Sequence, residues 1–183
     1  MSYTIVMAFN FRKNLDGSSQ VPALLYGIGK NSIIFTVGDV VRFNTSGFLD
    51  LSEANEQVFG IVAGVVTSKG LPVDTDSGTI NTWTMASDNQ TVAMNQVSVI
   101  PAFPHYAFSA DSDTTIEQAS LGKYFNVNAT SDGIVTSGES DTIGTLMFQL
   151  VGIDPDGDAD VSKGLYRVVG SQVGGTTIAT RAA

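Results

Sequence analysis

The chain contains no cysteine. Disulfide staples, thiolate nucleophiles and cysteine-ligated metals are therefore excluded. Histidine occurs once, at His105, and tryptophan once, at Trp83. Nucleophilic triads and most transition-metal sites use a histidine, so His105 would have to serve any of them. No G-x-S-x-G elbow accompanies it. Cations are sparse too: 9 Lys+Arg stand against 18 Asp+Glu, a formal net charge of −9. Binding to nucleic acid or to an anionic membrane surface needs clustered cations, and none cluster, so neither partner is expected. No apolar run approaches the roughly 20 residues of a membrane-spanning helix. The start, "MSYTIVMAFNFRK", lacks the basic-then-apolar layout of a signal peptide. A soluble protein made in the cytoplasm is the expectation.

What is present is a foldable β sequence. Of 183 residues, 43% are hydrophobic and 15% charged, which excludes a disordered chain. The 19 glycines, with frequent Ser and Thr, suit strands joined by tight turns. Tyr3 to Phe11 alternates with the period of a half-buried strand. Ile33 to Phe43 is apolar and broken at Gly38-Asp39. Val58 to Val66 is a near-continuous apolar run too short and Gly-rich for a helix. Thr79–Ala86 and Thr91–Ile100 flank "SDNQ" and read as a hairpin. Strands are also expected near His105–Ser109, Lys123–Val127, Gly133–Thr136, Ile143–Ile153 and Leu165–Val169. One helix signal occurs: Thr114-Thr-Ile-Glu117 fits a capping box, with Gly122 as a stop. The predicted fold is all-β, a small barrel or sandwich with at most one short helix. It occupies residues 1–170 as a single domain. Residues 171–183 form a flexible or strand-adding arm.

The chain also suggests an internal repeat. Gly38 and Gly122 open two similar stretches. Asn44 and Asn128 each lie six residues on, and Gly60 and Gly144 each lie 22 residues on. Ser46-Gly47 and Asp132-Gly133 supply turns between apolar runs. Two similar halves are expected at about 33–86 and 115–170. A chance recurrence of glycine in a Gly-rich β protein is the other reading.

Several groups carry potential chemistry, and each has a plainer explanation. Asp154, Asp156, Asp158 and Asp160 alternate like the oxygen ligands of a calcium loop. Ala159 and Leu165 then stand where such a loop needs Gly and Glu, so a solvated acidic turn is favoured. Glu53/Glu56 and Glu139/Asp141 are paired acids, but they sit among Ser, Asn and Gly rather than in the apolar setting that glycoside hydrolysis uses. Trp83, Tyr26, Tyr106, Tyr124 and Tyr166 would suit a sugar platform if clustered; spread along strands, they read as packing residues. "GIGK" at Gly27–Lys30 lacks the spacing of a phosphate loop. Asn44, Asn89 and Asn128 begin N-x-Ser/Thr triplets. No catalytic set, cofactor or metal is expected, and the chain reads as a non-enzyme.

The stretch "FTVGDVVRFNTSGFLDLSEANEQVFGIVAGVV" resembles the head decoration (cement) proteins of tailed phages. These carry a short G-D-x-V strand, a turn, a polar link and a G-[IV]-[VL] strand. "TIEQASLGKYFNV" with "DTIGTLMFQLVG" is similar to their later part. The resemblance covers residues 33–66 and 115–153. It implies a β-tulip-like domain, made in the host cytoplasm, that binds the outside of the capsid. Its partner would be the major capsid protein, and the domain would often act as a trimer. Expected contacts are Tyr3, Ile5 and Phe9 on the alternating first strand. Phe103, His105 and Tyr106 of "PAFPHY" join them if that segment is an exposed loop rather than a buried corner. Other phage structural roles (head fibre, neck or tail) and a non-catalytic carbohydrate-binding sandwich remain the alternatives.

Overall fold

The structure, a computed structural model, describes residues 9–19, 21–76, 81–130, 133–142, 147–153 and 162–173. The expected calcium-loop acids Asp154, Asp156, Asp158 and Asp160, and the contacts Tyr3 and Ile5, lie outside the described residues. The chain is all-β. Strand β1 (Asn10–Asn14) precedes a first unit. That unit holds β2 (Leu25–Ile28), β3 (Ile34–Thr36), β4 (Val40–Phe43), β5 (Leu49–Leu51), β6 (Gly60–Val66), β7 (Thr82–Thr84) and β8 (Gln96–Pro101). A second unit holds β9 (Tyr106–Ser112), β10 (Tyr124–Thr130), β11 (Gly133–Ser140), β12 (Phe148–Ile153) and β13 (Ser162–Val168).

The first unit has a five-stranded sheet, β2-β8-β6-β4-β5, with β3 and β7 paired apart from it; the second unit's strands run β9-β13-β12-β10-β11, and β1 adds to β9 as a sixth. The registers match as well. Val40 pairs Ile61 and Val41 pairs Gly60; in the second unit Tyr124 pairs Gln149 and Phe125 pairs Phe148. The register slips between Val62 and Gly64 in one unit and between Leu150 and Gly152 in the other. Each sheet curls until its outer strands touch at one parallel bridge, Gly29 to Leu49 and Ser112 to Thr136. Lys30 N–H donates to Leu49 O at 2.8 Å, and Asp113 N–H to Thr136 O at 3.0 Å. With only that seam, each unit is sandwich-like rather than a fully closed barrel.

Gly38 and Gly122 hold equivalent places. Both have positive φ, 94° and 86°, and both donate N–H bonds of 2.9 Å, to Val62 O and Leu150 O. The left-handed conformation suits glycine because a Cβ there crowds the following carbonyl. The repeat is not uniform. First strands are offset by 84 positions, but third strands by 88, because the second polar link is longer. Gly60 therefore matches Phe148, not Gly144. Asn44 starts its turn, whereas Asn128 lies inside β10. The matching strands run over 25–101 and 106–168, wider bounds than the apolar runs mark.

Volumes are redistributed between the two interiors. Where the first unit has Gly27, Leu49, Val97 and Val99, the second has Ala110, Thr136, Gly164 and Tyr166. A Cβ at Gly27 would meet Leu49 Cδ1 at 2.7 Å; one at Gly164 would meet the Tyr166 ring at 2.7 Å. Each glycine thus sits beside the larger neighbour of its own unit.

The expected hairpin of 79–86 with 91–100 does not form. β7 pairs β3 instead, setting Trp83 against Phe35, and these cap the first interior with Met85. β8 pairs β2 and β6. Between them lies one π-helical turn, Asn89–Ala93, anchored by the buried Asn89 side chain on Gly29 O and Asn95 O. The expected capping box is displaced too: Glu117 is the N-cap, and only the 3-10 turn Gln118–Ser120 follows. β2 and β5 carried no clear signal of their own. They are short, and β2 contains a glycine.

The units meet through unlike faces. Val40, Val58, Ile61 and Ala102 of the first unit share one buried cluster with Phe108, Phe125, Phe148, Leu150 and Tyr166 of the second. The second-unit equivalents of Val40, Ile61 and Ile100 are Tyr124, Gln149 and Arg167. These are partly exposed and linked by an Arg167–Gln149 hydrogen bond of 2.7 Å. Asn126 Nδ2 donates to Asn55 Oδ1 at 2.8 Å and Asn55 N–H returns to Asn126 Oδ1 at 3.1 Å. Beyond β13, Ser171 bridges Val58 in parallel, and Gln172 bonds both backbone groups of Phe43. The first two residues of the expected arm are thus docked on the first unit.

Candidate interaction surface

The joint between the units is the turn that follows β8. Ala102 anchors it: the residue is buried and donates its N–H to Phe59 O at 2.9 Å. Tyr106 N–H closes the turn on Phe103 O at 2.9 Å. Pro101 and Pro104 limit the backbone on either side. The result is neither a free loop nor a buried corner. Phe103 and Tyr106 are half-buried, while Pro104 and His105 are exposed.

Four rings gather here. Phe103 and His105 stack, with centroids 5.5 Å apart and planes 11° from parallel. Tyr106 meets both edge-on, at 5.5 and 4.5 Å. Phe11 of β1 joins from below at 5.3 Å and ties the group to the core through Phe108. Such pairs contribute beyond simple burial, about 0.5–1.5 kcal/mol each. Leu15, 39% exposed, extends the apolar rim, and its N–H donates to His105 O at 2.6 Å. Asp16 adds an anion beside His105. Its carboxyl lies below the usual range, first because Ser18 N–H donates to it and in smaller part because of His105.

Phe9, expected among the contacts, is not available: it is 1% exposed and stacks on Phe148 at 4.7 Å inside the core. Its alternation marks a strand face, and that face is the inward one. Phe103, His105 and Tyr106 do come together. Phe11, which the sequence reading left out, completes them because β1 pairs β9 with Phe11 opposite Phe108. That long-range pairing has no local signal.

The remaining groups have structural duties. Glu56 accepts from Arg42 and from Glu53 N–H. Glu139 accepts from Lys123 and Ser120, and the Lys123 bond holds its carboxyl low. Trp83 donates its indole N–H to Val73 O at 2.9 Å within the first core. Tyr166 is buried and Tyr26 exposed, so these aromatics form no shared platform. Lys30 of "GIGK" pairs with Asp50 at 2.6 Å. Asn44 caps its own turn through Ser46 and Phe48 N–H. Among the described residues no group of three or more acids or histidines could hold a metal ion. No helix among them is long and apolar enough to cross a membrane.

No family model matches this chain, and neither does any curated protein or solved structure with which it was compared.

Proposed function

We propose that this chain is a virion structural protein that binds the outer surface of a tailed-phage capsid, stabilises it and catalyses no reaction. The carrying observation is the partly exposed ring cluster of Phe103, His105 and Tyr106 at the joint of two like β units. Partly exposed aromatics backed by a packed core are the usual anchors of protein interfaces. The two stretches that resemble decoration proteins also fall on corresponding strands, β4–β6 and β10–β12.

The partner is the major capsid protein, and the chain acts as a homo-oligomer, a trimer as the resemblance implies. A net charge of −9 favours the outer wall over the inner one beside packaged DNA. A shell repeats its sites many times, so modest affinity is amplified when neighbouring subunits also touch. A ligand that binds only the assembled lattice stabilises it by mass action. The test mixes the protein with expanded capsids that lack it, then measures occupancy and resistance to heat or osmotic shock. Saturable binding with raised resistance is expected. No binding to any capsid state, or a tail location by imaging, overturns the proposal.

A further inference from the structure

The two units differ at one edge. In the second unit, β1 lies antiparallel along the start of β9, pairing Asn10 with Ser109 through Asn14 with Tyr106. By the matching registers, Tyr106–Ser109 corresponds to Ala23–Tyr26 of the first unit. No strand among the described residues occupies that place. Gly29 N–H donates to Asn95 O, so the odd-numbered residues of β2 bond toward β8. Tyr26 therefore turns its N–H and C=O groups to the open side, and Leu24, just before β2, is two residues away along the same alternation; no backbone partner is found for either there among the described residues.

The open edge is also apolar. Leu24 is 40% exposed, Tyr26 51% and Val21 88%. Natural edge strands are blunted by Lys, by Pro within the strand or by a covering element. "ALLYGIG", residues 23–29, has no charge and no proline; Pro22 stands just outside it.

We infer that this edge of β2 pairs antiparallel with the same edge of a second copy, making a two-fold contact. The β1–β9 pairing shows that an antiparallel strand fits at the equivalent position. The edge is self-complementary. With the axis beside Leu25, Leu24 faces Tyr26 of the second copy and Tyr26 faces its Leu24. Each such pair exchanges two N–H···O bonds and sets an aliphatic side chain against an aromatic one. A two-fold contact uses one patch twice, so no other surface is needed. The chain's net charge of −9 opposes association in general, but no charged residue lies in the paired stretch. The inference does not rest on the capsid reading: a two-fold contact cannot close a trimer, so this edge and the trimer contact of that reading are separate surfaces.

Sedimentation of the purified full chain over a concentration series tests it, with no capsid present. Wild type should pass from monomer to dimer. Tyr26→Lys and Leu24→Lys, each adding a charge to the edge, should weaken dimerisation on the order of tenfold or more. Val92→Lys, at a 72% exposed site elsewhere, should leave it unchanged. Thermal melts at low concentration verify that each variant is folded. Hydrogen exchange adds a direct reading: the amides of Leu24 and Tyr26 should become protected as concentration rises. A monomer at every concentration overturns the inference. So does a dimer indifferent to both lysine variants, or protection of these amides that does not depend on concentration. The last result would mean that the chain covers its own edge.

Discussion

The ring of Tyr166 occupies the room that a side chain at Gly164 would need: a Cβ there would stand 2.7 Å from Cε2 and 2.5 Å from Leu150 Cδ1. Both residues face the second interior, at the positions held by Val99 and Val97 in the first. Burial pushes the Tyr166 hydroxyl up to about 12, and its partner is Thr136 Oγ1 at 2.8 Å. A small residue, a large one and a matched hydroxyl thus replace three aliphatic side chains.

Gly164→Ala should cost roughly 1–3 kcal/mol of stability, because the ring and Leu150 cannot both give way. Gly164→Val should cost more. Combining Gly164→Val with Tyr166→Val, Thr136→Leu and Ala110→Gly recreates the first unit's set and should recover part of the loss. Denaturant titration of the four-fold variant against Gly164→Val alone decides this. A purely additive decline would show that the two interiors are not packed in register.

Asp39 gives a pH dependence of stability. The carboxyl accepts Thr36 N–H at 2.7 Å, yet burial outweighs that bond and pushes it up to about 6. The folded pKa is raised, so the unfolded chain ionises first as pH rises. The contribution is present below about pH 4 and is lost between about pH 4 and 6. Its span is roughly 3 kcal/mol at 1.36 kcal/mol per unit. Asp39→Asn keeps an acceptor for Thr36 and removes the charge. It should stabilise the protein at pH 7 and flatten its stability curve from pH 4 to 6. An unchanged curve would rule out Asp39 as the source.

Gly38→Ala and Gly122→Ala should each cost about 1–2 kcal/mol, the penalty of a left-handed residue bearing a Cβ. At Gly122 nothing lies within 4 Å of the added atom, so backbone strain alone should set the loss there. Chemical denaturation measures both. A neutral Gly122→Ala would mean that the strand opens differently in solution.

Phe103→Ala should lower affinity for expanded capsids by about ten- to a hundredfold, as loss of an interface aromatic commonly does. The residue is half-buried in a turn, so its melting temperature should shift little. A large loss of stability with unchanged capsid affinity would assign Phe103 to packing alone.

The all-β class was legible in local sequence because a strand's alternation and a turn's glycine are local properties. Val58–Val66, the Gly38-Asp39 break and the Ser46-Gly47 turn each carried their signal within a few residues. The paired openings at Gly38 and Gly122 were also visible, since positive φ selects glycine whatever surrounds it.

Pairing was not legible. β7 turns to β3 rather than to β8 because Trp83 and Phe35 together close the first interior, a contact across nearly fifty residues of chain. Phe9 and Phe11 share one alternating face in sequence. The tertiary structure buries Phe9 against Phe148 and brings Phe11 to the ring cluster through β9. Composition and period determined that the chain makes strands and where most of them lie. Which edges meet and which rings reach the surface depended on contacts between distant strands, where the deciding energy is packing rather than local propensity.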